Sequence, residues 1–198
     1  MSETSFEIQP SEGVSVLRLH SSDGTNRLTR ASVVLLVETL GALRGGSSGL
    51  VIRGNSTFFS AGAELEEIAA LSGRAGYEFA GLGQRLMMMI ETFPAPVCAA
   101  ISGYCMGGGV DLALACHQRI AAPNAVFGHR GAALGLITGW GGTQRLPRLV
   151  GRTEALRMFV AAEKVSARNA LSIGLVDAVA EDPVAEAIRR IRAMSWQA

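Results

Sequence analysis

The chain has 198 residues, 48% of them hydrophobic, and its 18 lysines and arginines nearly balance 17 aspartates and glutamates for a net charge of +1. This gives one domain with a substantial core, and it excludes the electrostatic footprint of a nucleic-acid or anionic-membrane partner. No run is long or apolar enough to span a bilayer, and Met1-Ser2-Glu3-Thr4 lacks the basic and apolar regions of a signal peptide, so a cytoplasmic protein is expected.

Taken in order, the chain opens with two strands, Phe6 to Gln9 and Val14 to His20, joined by a turn at residues 10–13 as an antiparallel hairpin. Val33, Leu36, Val37 and Leu40 recur at helical spacing and predict an amphipathic helix from about Ala31 to Leu43. Leu50-Val51-Ile52 reads as a buried strand, and residues 58–63 as a turn into a helix starting near Glu64. The strongest helical period follows, with Phe79, Leu82, Leu86, Met89, Ile90 and Phe93 on one face and Met87, Met88 and Met89 filling core gaps.

Pro96 then precedes Val97-Cys98-Ala99-Ala100-Ile101, an apolar run without alternation, which predicts a strand buried on both faces. Ser102 and Gly103 turn the chain, and Gly107, Gly108 and Gly109 open a buried helix through Cys116. Glycines at a helix start leave its first N–H groups open to a ligand oxygen, although such clusters more often only let strand and helix pack tightly, the reading the glycines alone favour. Short strands are predicted at Arg119 to Ala122 and Ala125 to Phe127, followed by a glycine-rich loop through Gly142. Helices from about Thr153 and Ser166, a strand at Leu175-Val176-Asp177, and a final helix come next. Asp182 caps that last helix, Pro183 fits its first position, and Val184, Ala187, Ile188 and Ile191 face inward. Alternating strands and helices argue an α/β fold. Cys98, Cys105 and Cys116 sit in apolar stretches without metal-ligand spacing and read as reduced packing residues, so no metal is expected.

Residues 59–65 (FSAGAEL), 100–109 (AISGYCMGGG), 112–116 (LALAC) and 139–151 (GWGGTQRLPRLVG) together resemble the enoyl-CoA hydratase/isomerase, or crotonase, superfamily. The resemblance covers nearly the whole chain in the family's motif order. It implies a spiral of repeated ββα units with C-terminal helices, an acyl-CoA thioester ligand with no further cofactor, and a homotrimer or hexamer. Residues 1–181 would form the acyl-CoA-binding core and 182–198 the start of a helical tail. Relatives continue past the position of Trp196. The tail is therefore expected to be truncated, with the apolar face of Val184, Ile188 and Ile191 seeking an oligomer partner.

Carried over position by position, the resemblance makes the backbone N–H groups of Ala63 and Gly108 an oxyanion hole for a thioester enolate. Ala61, Gly62 and Leu65, with the loop at Arg27, would hold coenzyme A, and Gly131 and Trp140 would border the substrate. Asp23 stands where relatives often place a lysine, leaving Arg27 or Arg30 to meet the phosphates. Of the two glutamates that hydratases of this family use, the first falls at Asp111, a shorter carboxylate in the first turn of the buried helix. The second falls at Gly131, which has no side chain. His129 and Arg130 stand just before it; a histidine there could exchange a proton near neutral pH and an arginine could bind a substrate carboxylate or a coenzyme A phosphate, but the favoured expectation is loop residues facing solvent or a neighbouring subunit. Carbon–carbon bond-forming relatives also carry glycine there, but with an aspartate where this chain has Thr138. Three readings follow: a hydratase or isomerase using Asp111 for proton transfer, a carbon–carbon lyase or decarboxylase, and a non-catalytic acyl-CoA-binding protein.

Overall fold

The computed structural model describes residues 4–46 and 48–194, so Trp196 lies outside the described residues. Strands β1 (Thr4–Ser11) and β2 (Val14–Ser21) run further than expected, with Ser11 opposite Val14. Only Glu12 and Gly13 remain in the turn, and both have positive φ, 51° and 83°. That is the two-residue turn whose twist matches the strands it joins. Pro10 consequently lies in β1, an edge strand, where a missing N–H can be tolerated.

The chain then winds through β3 (Arg27–Leu28), α1 (Arg30–Leu43), β4 (Leu50–Arg53), β5 (Phe58–Ser60), β6 (Gly62–Ala63), α2 (Leu65–Ala69) and α3 (Gly73–Glu91). It continues as β7 (Val97–Ile101), β8 (Tyr104–Met106), α4 (Gly108–Ala115), β9 (Gln118–Ala121) and β10 (Val126–Gly128). A short 3-10 helix (Arg130–Leu134) precedes α5 (Gly142–Val150), α6 (Arg152–Phe159), β11 (Lys164–Ser166), α7 (Ala167–Ser172), β12 (Ala178–Val179) and α8 (Pro183–Ala193). One sheet has the order β1-β2-β4-β7-β9-β12 and is parallel from β2 onward; a second has the order β11-β10-β8-β5. Each pass contributes one strand to each sheet: β4 then β5, β7 then β8, β9 then β10. This is the expected α/β spiral of ββα units.

Side-chain alternation along the large sheet sorts its residues onto two covered faces. Leu17, Ile52, Ala99 and Ile101 join the main core with Val33, Leu36 and Leu40 of α1 and Leu86, Met87 and Ile90 of α3. Val16, Val51, Cys98 and Ala100 point the other way and meet Ala187, Ile188 and Ile191 of α8. All five residues of β7 are buried, because it lies mid-sheet between both layers. Asp182 caps α8 by accepting from the Val184 and Ala185 N–H groups, as the Asp-Pro pair predicts.

Several expectations need correction. The apolar face of α8 is covered by the chain's own sheet, each large side chain there contributing roughly 1.5–3 kcal/mol of burial. It is therefore no argument for an oligomer. Residues 142–150, which fall between the expected glycine-rich loop ending at Gly142 and the helix expected from about Thr153, form α5 even with Pro147 inside it. The last strand is Ala178–Val179 rather than residues 175–177, since Leu175 and Val176 are buried without joining the sheet ladder. The helix expected near Glu64 is preceded by β5 and β6. Met88 is 60% exposed, on the opposite side of α3 from its buried stripe.

Candidate active site

Strand β8 ends at Met106, and Gly107, with φ of 50°, turns the chain into α4. Gly108 is the first helical residue, so its N–H has no acceptor within the helix. β6 lies directly against this point. A Cβ at Gly62 would come within 2.9 Å of the Gly108 nitrogen, and one at Gly108 within 3.2 Å of the Ala63 nitrogen. A Cβ at Gly108 would also lie 2.6 Å from the Trp140 ring, so nothing larger than glycine fits without displacing that indole. Two backbone nitrogens from separate elements are thus placed side by side.

Ala63 and Gly108 border a cavity of about 660 Å³. Leu65, Ile68, Leu71, Phe79, Leu134 and Ile137 make much of its wall apolar, the usual character of a small-molecule site. Ala61, Asp111, His129, Arg130, Gly131, Thr138 and Trp140 also line it. Of the residues expected at the site, Ala61, Ala63, Leu65, Gly108, Asp111, Gly131 and Trp140 therefore converge on one space. Gly62 and Arg27 stand behind it: they pair with each other across β3 and β6. The Arg27 guanidinium is 3.4 Å from carboxylate oxygens of both Asp23 and Glu64. Such part-exposed pairs are worth about 0–1 kcal/mol each.

Asp111 is 1% exposed, inside the first turn of α4. Its Oδ2 accepts a hydrogen bond from the Thr138 hydroxyl, and its Oδ1 lies 3.3 Å from His129 Nε2. The Thr138 hydroxyl in turn accepts from the Trp140 N–H at 3.3 Å. His129, expected to face solvent or a neighbour, is instead 4% exposed and packs edge-on to Phe159 at 4.9 Å. Its partner makes that burial tolerable, since a polar ring loses little on leaving water when it is hydrogen-bonded. A signal for it exists in the sequence. Phe127 and His129 are two residues apart, so an extended chain puts both on one side, and Phe127 is buried. Arg130 is exposed, as expected of that position.

Gly131 lines the cavity without a carboxylate, and the backbone around it leaves no room for a side chain. A Cβ there would sit 2.8 Å from the Leu136 carbonyl oxygen, because Leu136 N–H closes back onto the Gly131 carbonyl at 2.9 Å. Any side chain at 131 requires the turn to shift. The cysteines offer no substitute chemistry. Burial pushes the Cys98 and Cys116 thiols up to about 12, and burial, with Cys116 and Asp111 adding to it, raises that of Cys105. All three stay protonated and unreactive near neutral pH.

Residues 9–197 match a family model described as Enoyl-CoA hydratase/isomerase. The chain belongs to that family. This enoyl-CoA hydratase/isomerase family member is 45% identical over 151 residues to a Bacillus subtilis protein named "Probable enoyl-CoA hydratase", covering 76% of the chain and 58% of the relative. It is 36% identical over 177 residues to the crotonyl-CoA hydratase of Syntrophomonas wolfei, covering 88% and 68%. The chain thus spans little more than half the length of the first relative. Among solved structures, Pseudomonas aeruginosa DspI superposes with a TM-score of 0.91 at 32% identity, over 98% of this chain and 75% of that one. An enoyl-CoA hydratase from Bacillus anthracis superposes at 0.89 with 31% identity, over 95% and 75%. Among the described residues, no helix of the family member is long and apolar enough to cross a membrane.

Proposed function

We propose that the protein is an acyl-CoA enzyme of hydratase/isomerase type, which stabilises a thioester enolate with the Ala63 and Gly108 N–H groups and moves a proton with Asp111. The observation that carries this reading is the juxtaposition of those two backbone nitrogens and a buried carboxylate at one apolar cavity. A thioester carbonyl between the two N–H groups gains negative charge as the neighbouring carbon loses a proton. Fixed donors away from water stabilise that charge by several kcal/mol. The apolar wall suits an acyl chain, and family membership supports the coenzyme A handle, with Ala61 and Leu65 beside it.

Gly131 weighs on which reaction is run. Hydration is served by two groups, one to activate water and one to protonate carbon. With a glycine at the second position, proton transfer without water addition is the better fit, and carbon–carbon cleavage is the competing reading. A panel of acyl-CoA thioesters incubated in deuterated water and read by mass spectrometry separates the three. Deuterium uptake next to the thioester carbonyl supports the reading; carbon dioxide or a shortened acyl product replaces it with cleavage. Tight coenzyme A binding with no change in any thioester means a non-catalytic binding protein.

A further inference from the structure

We propose that His129 and Thr138 are positioning residues, which aim Asp111 as the sole proton-accepting carboxylate of the cavity. Among the described residues lining it, Asp111 supplies the only carboxylate. Both of its oxygens are engaged, Oδ2 by the Thr138 hydroxyl and Oδ1 by His129 Nε2. The direction of these bonds follows from what each partner can do. Thr138 accepts the Trp140 N–H at its oxygen, which leaves its own hydroxyl proton to donate to Asp111. An ionised carboxylate only accepts, so the His129 ring carries its proton on Nε2.

The inference rests on the thioester reading of the cavity and deepens it. Two donors on two oxygens fix the rotation of the Asp111 carboxylate, and each oxygen keeps a second lone pair for substrate. The step is balanced without water. Asp111 takes a proton from the carbon beside the thioester carbonyl, and the C–H electron pair moves to form a carbon–carbon double bond as the carbonyl becomes an enolate oxyanion. The proton held by Asp111 exchanges with solvent, and a proton then returns from Asp111 to that carbon or, where the acyl chain has a double bond between its next two carbons, to the carbon two atoms along as that double bond shifts. On this reading His129 acts through the carboxylate it contacts, Asp111.

The test is deuterium exchange into butyryl-CoA by the wild type and by H129L, H129Q, T138V and T138S. H129L and T138V should lower kcat by about tenfold or more with KM within about twofold, a loss in the range of a misplaced acid–base group. Glutamine keeps an N–H donor and serine keeps a hydroxyl, so H129Q and T138S should recover most of that loss. If H129Q is as impaired as H129L, the ring itself carries the proton and the positioning role is wrong. Wild-type rates in H129L overturn it equally. Long-range proton–nitrogen NMR of the wild type, with D111N as comparison, gives a readout independent of turnover. A proton on His129 Nε2 that shifts in D111N supports the arrangement; a proton on Nδ1 with a bare Nε2 overturns it. A wild type that exchanges no thioester yet shows the Nε2 proton removes the thioester reading while supporting the hydrogen-bonded trio.

Discussion

On one side of the cavity, Ala63 and Gly108 belong to a strand and a helix start embedded among buried neighbours, and every residue of α4 is itself buried. On the other, residues 130–139 contribute no buried side chain, and Leu134 and Ile137 are 58% and 66% exposed. The first wall is fixed by tertiary packing, and it presents backbone N–H groups beside the Asp111 carboxylate. The second is a turn-rich cover whose side chains meet whatever occupies the space. The Asp111–Thr138 hydrogen bond joins the two, tying the buried helix to the cover. The reacting end of a ligand should therefore be sensitive to single atoms, and its acyl end tolerant of change.

The sharpest test of the rigid wall is Gly108→Val. Its side chain would collide with Trp140 and the Ala63 nitrogen, so turnover should fall by about a hundredfold to a thousandfold. Coenzyme A affinity, measured by calorimetry, should change far less; near-normal activity would mean that the thioester carbonyl binds elsewhere. Next in size is Asp111→Asn, expected to remove most deuterium exchange while the thermal midpoint stays close to wild type. Asparagine keeps shape and can still accept from Thr138. An undiminished exchange rate would move the proton-transfer role to His129. On the cover, the double change of Leu134 and Ile137 to Ala should raise KM for long acyl chains by roughly threefold to tenfold at similar kcat, since each buried methylene is worth about 0.8 kcal/mol. A collapse of kcat in that variant would show that the cover, too, sets the chemistry.

The smallest effect concerns stability against pH, away from the cavity. His117 Nδ1 accepts from the Val97 N–H at 2.8 Å, and Nε2 is 3.2 Å from the Glu91 carbonyl oxygen. Burial holds its pKa below the ordinary 6.5. The unfolded chain therefore takes up a proton that the folded one resists. The stability present above about pH 6.5 is lost as pH falls through the lower folded value. Urea midpoints should drop between pH 7.5 and 5, and His117→Asn, which keeps an acceptor for Val97, should flatten that part of the slope.

Much of the buried frame was legible from local pattern: α1, α3 and β7 follow from apolar spacing, and the start of α8 from Asp182-Pro183. The glycine cluster by itself marks close strand–helix packing, and only the family resemblance singles out Gly108 within it. α5 was not legible, since glycines and Pro147 are breakers by propensity and only packing of Leu146 and its neighbours overrides them. His129 was hidden for a different reason. Whether a histidine faces solvent or a carboxylate 18 residues away is decided by how two strands and a helix meet, which local spacing records only faintly. The apolar face of α8 misled in the opposite sense: its pattern was right, but its partner was the chain's own sheet.

Trp140 sits where both walls touch. Its ring lies against Gly108 and Gly83 and meets Phe79 edge-on at 5.4 Å. The sequence has two tryptophans, and the other, Trp196, lies outside the described residues. With Trp196 changed to Phe, a single indole remains as a fluorophore within contact distance of any carbonyl seated at Gly108. If a carbonyl seats at Gly108 as proposed, the emission of that indole would report its arrival without any added label.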